Sequence, residues 1–137
     1  YWNDTAPSAQ QFTVGTLNAV NRNTTTYIAY LFATLNGISK VGSYSGSSGN
    51  VDVDCGFSSG ARFILIKRTN SSGDWYVWDS TRGIVSGNDP YILLNSTAAQ
   101  VTNTDYIDPL NAGFTVTSSA PSALNTSGGT YLFFAIA

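Results

Sequence analysis

Histidine and methionine are absent from this 137-residue chain, and its eight acidic residues are all aspartate. Without histidine, a Ser-His-Asp or Cys-His nucleophilic arrangement cannot form, and histidine-ligated zinc is excluded. Charged residues make up only 10% of the chain, against about 25% in ordinary soluble domains. The six basic residues are scattered and the formal net charge is −2, so no basic stripe for nucleic acid is present. No apolar run reaches the roughly 18 residues of a membrane-spanning helix, and no secretory leader pattern is visible. The lone Cys55 leaves no intrachain disulfide or cysteine-based zinc site. Beside Gly56 and Phe57 it reads as a small buried apolar residue, and a free thiol argues against maturation in an oxidising secretory route.

What remains is a chain of Ser, Thr, Asn and Gly alternating with Tyr, Phe, Val and Ile. Glutamate and methionine, which favour helices, are missing, so the composition favours strands. Residues 27–33 are apolar and aromatic, the pattern of a strand buried on both faces. Residues 131–137 repeat that pattern. Val51-Asp52-Val53-Asp54-Cys55 alternates strictly, so one face is wet. Residues 62–68 and 75–79 flank a turn-rich connector and read as a hairpin. Further turn signals fall at Asn36-Gly37 and within residues 46–50, 58–60, 87–90 and 126–129. One helical turn fits within residues 81–86, and no long helix is indicated. Many short strands with frequent turns predict an all-β fold, an antiparallel, jelly-roll-like β-sandwich.

The two ends of the chain resemble each other. Phe12-Thr13-Val14 recurs as Phe114-Thr115-Val116, and Ala19-Val20-Asn21 as Ala123-Leu124-Asn125. Thr26-Tyr27-Ile28 matches Thr130-Tyr131-Leu132, Ala33 matches Ala137, and Asn3-Asp4-Thr5-Ala6 matches Asn95-Ser96-Thr97-Ala98. The later copy carries insertions, mainly within residues 103–110. Two organisations account for this. In a tandem array, residues 37–137 form a complete β-sandwich unit and residues 1–36 the last third of a preceding unit. In a single domain, residues 1–36 supply the first hairpin of the sandwich. The array reading also explains a chain without methionine, as the stable remnant of a longer polypeptide.

The strings Ile38-Ser39-Lys40-Val41-Gly42-Ser43-Tyr44 and Asp54-Cys55-Gly56-Phe57 lead into residues 60–69, Gly-Ala-Arg-Phe-Ile-Leu-Ile-Lys-Arg-Thr. Gly73-Asp74-Trp75-Tyr76-Val77-Trp78-Asp79 and Arg82-Gly83-Ile84 follow, and Tyr1-Trp2-Asn3-Asp4-Thr5-Ala6-Pro7 opens the chain. Together these resemble a family of uncharacterised C-terminal β-domains in marine and cyanobacterial phage tail-fibre-like structural proteins. The resemblance implies a virion surface location, on a bacteriophage tail fibre, and a viral structural protein. It supplies no catalytic or binding residues.

The aromatic string is the most promising recognition feature. Strand alternation puts Trp75, Val77 and Asp79 on one face and Asp74, Tyr76 and Trp78 on the other. One face can present rings on which sugars stack, with acids and Arg82 taking the hydroxyls. Trp75, Tyr76, Trp78, Asp79 and Arg82 are therefore the candidate ligand-binding residues, and the alternative is that both faces are buried. Asp74 with Asp79, Asp105 with Asp108, and Asp52 with Asp54 are carboxyl pairs of the kind a glycosidase needs. Asp105, Asp108, Asn88 and Asp89 could contribute to a calcium site. Both readings are weaker than solvated faces and turn-capping side chains. The Asn-x-Ser/Thr sequons at Asn3, Asn23, Asn70, Asn95 and Asn125 arise readily in this composition.

The sequence thus leads to a non-enzymatic virion protein with no catalytic residues, cofactor or metal. Its expected role is host attachment, as a distal tail-fibre module adhering to a host surface polysaccharide. The alternative is a purely structural repeat or decoration module of a fibre, capsid or other extracellular filament. Expected partners are copies of itself or adjacent repeat units in a homo-oligomer, with neither nucleic acid nor membrane insertion.

Overall fold

A computed structural model describes residues 3–137; Tyr1 and Trp2, part of the opening motif, lie outside the described residues. The chain divides into two compact units, one ending at Leu31 and the other spanning Phe32–Ala137. Among the described residues the one α-helical segment is a single turn, α1 (Asn18–Asn21), in the smaller unit.

The larger unit is all-β. Its strands are β1 (Ser39–Ser45), β2 (Val51–Asp54), β3 (Phe63–Arg68), β4 (Trp75–Asp79), β5 (Ile92–Leu93), β6 (Ile107–Leu110), β7 (Gly113–Val116) and β8 (Thr130–Ile136). They form two antiparallel sheets, ordered β1-β8-β3-β4-β5 and β2-β7-β6. The expected hairpin of residues 62–68 and 75–79 is β3–β4, with Phe63 opposite Asp79 and Lys67 opposite Trp75. The C-terminal apolar run is β8, which lies between β1 and β3.

The core follows from period-two alternation. Tyr131, Phe133 and Ala135 of β8 point inward with Ile64 and Ile66 of β3 and Tyr76 and Trp78 of β4. The smaller sheet contributes Val53, Ile107, Phe114 and Val116. Phe114 meets Phe133 edge-on, ring centroids 5.5 Å apart, so the sheets join through a favoured aromatic geometry. Gly42 is opposite Phe133, where a Cβ would lie 2.7 Å from the ring, and only glycine fits without displacing the phenyl group. Cys55 is buried and free, and burial, with the Asp54 charge, raises its thiol to about 11. It behaves as the small apolar residue its neighbours suggest.

One expected strand does not form. Residues 27–33 belong to no strand, with Ile28 82% and Tyr30 80% exposed. A doubly buried strand needs neighbours on both edges and sheet or loop on both faces. The similar segment β8 has β1 and β3 beside it; residues 27–33 have no such strands. The chain then runs back along β1, with Leu35 bridged to Ser39 and Phe32 stacked on Phe134 at 4.4 Å.

Polar fastening concentrates on Asn125, a buried side chain. Its Oδ1 accepts the amides of Ser47 (3.0 Å) and Ser48 (3.2 Å), and its Nδ2 donates to the carbonyls of Gly49 (2.6 Å) and Thr117 (3.0 Å). All four hydrogen-bonding positions of the amide are therefore used. The side chain ties the β1–β2 turn to the β7–β8 connection. Asn125→Ala leaves four backbone groups to find new partners, and is expected to cost about 2–4 kcal/mol in urea unfolding. A loss below about 1 kcal/mol would show that water replaces the amide.

Candidate functional site

The candidate aromatic residues occupy β4, and alternation separates them. Trp78 is fully buried and Tyr76 nearly so. Their rings stack on each other, centroids 5.8 Å apart, and both tilt against Tyr91 at 5.2 and 5.7 Å. Tyr91 in turn stacks on Tyr106 at 5.8 Å. Tyr76 and Trp78 are thus core residues, and the sugar-stacking shelf expected of them is not at the surface. The reason is the sandwich itself: the face of β4 carrying them points toward the β2-β7-β6 sheet. Burial, with Tyr91, Asp74 and Tyr106 nearby, pushes the Tyr76 phenol up to about 12. The Tyr44 phenol, buried against Tyr131, is raised well above its ordinary range.

On the other face Trp75 remains 38% exposed, with the Lys67 ammonium 5.9 Å from its ring centroid. The backbone amide of Trp75 donates to Asn95 Oδ1 (2.9 Å), and Asn95 Nδ2 donates to Asp74 (2.8 Å). Asp79 and Arg82 are engaged with each other in an ion pair. Asp79 Oδ1 also accepts the amides of Thr81 (3.0 Å) and Arg82 (2.9 Å), closing the turn after β4. Arg82 Nε donates to Gln100 Oε1 at 3.1 Å. Of the five candidates, Trp75 and Arg82 are exposed, Asp79 is partly covered, and Tyr76 and Trp78 are enclosed.

Of the carboxylates proposed as pairs, Asp105 and Asp108 each keep a buried Oδ1 with no hydrogen-bond partner, while Asp52 and Asp54 have local duties. Asp52 accepts the Thr115 hydroxyl at 2.7 Å, joining β2 to β7, and Asp54 accepts the Gly56 amide at 2.7 Å. Among the described residues no group of three metal-ligating side chains comes together.

The most unusual carboxylate is Asp89, which the sequence marks as a loop residue before Pro90 and a candidate calcium ligand. It is fully buried. Its Oδ1 accepts the amides of Tyr106 (3.2 Å) and Ile107 (3.4 Å), while Oδ2 has no hydrogen-bond partner. Its own amide donates to the Thr104 carbonyl at 2.7 Å. Asp89 thereby pins the start of β6 beneath the tyrosine cluster. Burial raises its carboxyl from the ordinary 3.8 to about 7, opposed by the two backbone amides. No local sequence signal announces this, because burial here is decided by residues 104–107 closing over the loop.

A family model described as a domain of unknown function, DUF7483, matches residues 1–137. The chain belongs to this family. No curated protein and no solved structure matches it. The match extends across both compact units, so family membership covers the smaller unit as well as the sandwich.

Two outcomes follow. Because Asp89 is more readily protonated when folded, its contribution to stability is greatest below about pH 4 and is lost as pH rises toward about 7. Asp89→Asn is expected to flatten the fall in unfolding free energy between pH 4 and pH 7; an unchanged slope would assign the fall to other groups. Trp78→Ala is expected to cost about 3–5 kcal/mol by emptying the core, and Trp75→Ala less than about 1 kcal/mol. Thermal unfolding of the two variants compares them directly.

Proposed function

We propose that this chain is an assembly module of an extended, multi-unit surface fibre, and that its principal contacts are with other protein modules. The observation carrying this reading is the outward face of the five-stranded sheet. Val41, Phe134, Leu65, Val77 and Ile92 pair across all five strands in one apolar row. Phe63 and Ile136 flank it on one side, Leu132 and Trp75 on the other. An antiparallel sheet that faces water on one side normally alternates apolar and polar. Here an apolar row runs along the middle of the outward face, edged by Ser39, Ser43, Lys67 and Asp79; Val77 is buried and Phe32 stacks on Phe134, while Leu132 and Trp75 remain 40% and 38% exposed. Exposed apolar side chains at the edge of such a row, Leu132 and Trp75, suit packing against protein.

The virion setting rests on the resemblance of residues 38–84 to phage fibre domains. The uncharged Ser, Thr and Asn surface is compatible with it. Enclosure of Tyr76 and Trp78 removes most of the surface on which glycan adhesion was expected. Adhesion keeps one foothold, the exposed face of Trp75 beside Lys67, Asp74 and Asn95.

Sedimentation velocity over a concentration series tests the assembly reading. The chain is expected to self-associate, and Leu132→Lys with Trp75→Ser to weaken association at least roughly tenfold while the near-ultraviolet circular dichroism is kept. A chain that stays monomeric at high concentration counts against it. A reproducible hit on a bacterial polysaccharide array, abolished by Trp75→Ala in folded protein, would replace assembly with adhesion.

A further inference from the structure

The smaller unit makes the same local hydrogen bonds as the β7–β8 region of the larger one. The amides of Leu124 and Asn125 donate to the Pro121 carbonyl at 2.8 Å, and those of Val20 and Asn21 to Leu17 at 3.0 Å. Asn125 Nδ2 donates to the Thr117 carbonyl at 3.0 Å, and Asn21 Nδ2 to Gly15 at 3.1 Å. The Tyr131 hydroxyl donates to Ser122 (2.8 Å) and accepts the Thr126 amide (3.1 Å). The Tyr27 hydroxyl donates to Asn18 (2.8 Å) and accepts the Arg22 amide (2.9 Å). Matched positions stand at a constant spacing of 104 residues, or 102 up to Gly15 and Thr117. The likeness seen in short strings is therefore a likeness of folded backbone and of side-chain roles.

The surroundings differ. Phe114, Val116, Leu124 and Tyr131 are fully buried in the core. Their counterparts Phe12, Val14, Val20 and Tyr27 line an open apolar cleft of about 500 Å³. Asn125 spends its other three bonds on the turn at Ser47, Ser48 and Gly49. The Thr115 hydroxyl is held by Asp52, whereas the equivalent Thr13 hydroxyl is buried with no hydrogen-bond partner. What the smaller unit lacks is thus specific: a strand with an acceptor like Asp52, a turn like residues 46–50, and strands like β1 and β3.

We infer that residues 12–31 are the β7–β8 arm of a second module of this same fold, completed by polypeptide that precedes this chain. A second copy of the chain offers no place for the arm, because its own β8 already fills the position between β1 and β3. The inference does not depend on the virion reading. Side-chain sizes refine it. Ala29 and Leu31 stand where the larger unit has Phe133 and Ala135. Phe133 requires Gly42 opposite it. Opposite Ala29 there is room for a side chain, so the preceding module carries a residue larger than glycine at that position.

The test begins with the intact polypeptide. Its sequence upstream is expected to hold a counterpart of residues 32–110, with a hydrogen-bond acceptor at the position of Asp52 and a side chain at that of Gly42. Thr13→Val is then compared in the 137-residue chain and in the chain extended by that segment. In the extended chain it is expected to lower the folded-to-unfolded ratio of the upstream module roughly tenfold, the loss of one buried hydrogen bond. In the 137-residue chain it is expected to cost nothing. Val14→Asp in the extended chain is expected to unfold the upstream module alone, leaving the Trp78 fluorescence of the downstream sandwich native. An upstream sequence without such a counterpart, or an equal response of both chains to Thr13→Val, overturns the inference.

Discussion

Seven residues of β1 and six of β3 pair with β8 from opposite sides, so β8 is an interior strand that joins β1 to the rest of the larger sheet. Until β8 is in place, β1 has no partner, and the β3–β4 hairpin has only the two-residue β5 beside it. A two-stranded hairpin is marginal in water, and three or more strands with a covered apolar face are needed. Central placement also explains the composition of β8. Tyr131, Phe133 and Ala135 face the smaller sheet, and Leu132, Phe134 and Ile136 face outward. A strand with neighbours on both edges can be apolar throughout without leaving its backbone open to another chain.

Around this strand, polar side chains fix the connections that hydrophobic packing leaves undetermined. Asn125 joins the β1–β2 turn to the β7–β8 connection, Asp89 anchors the start of β6, and Asp79 closes the turn after β4. Each binds backbone amides, the use for which a short amide or carboxylate side chain suits. Asp54, Asp79 and Asp89, which invite a catalytic, binding or calcium reading, are therefore engaged in holding loops. Asp89 differs because burial raises its carboxyl to about 7, which makes it a source of pH-dependent stability.

The all-β class, the β3–β4 hairpin, the wet face of β2 and the buried C-terminal strand were legible in the sequence, because alternation and turn residues are local signals. Residues 27–33 were not. Their side chains match those of β8, but a strand is defined by its neighbours, and local pattern cannot report whether neighbours are present. The aromatic string shows the same limit in another form. Alternation assigned Tyr76 and Trp78 to one face correctly, yet only the packing of the second sheet decided that this was the inner face. Asp89 was legible as a loop acid that could bind calcium, but its burial was not, since that depends on residues 104–107 from elsewhere in the chain.

Two segments of similar sequence thus meet opposite fates, and the difference lies in their surroundings. The larger unit is a completed sandwich, and the smaller unit repeats its local hydrogen bonds with the matching apolar side chains lining an open cleft. Amide hydrogen exchange on the 137-residue chain compares them most directly. Leu132 to Ala135 are expected to exchange only through global unfolding, and Ile28 to Leu31 within seconds. Comparable protection of the two segments would contradict the account, because it would mean that residues 28–31 already have the partners that β8 finds in β1 and β3.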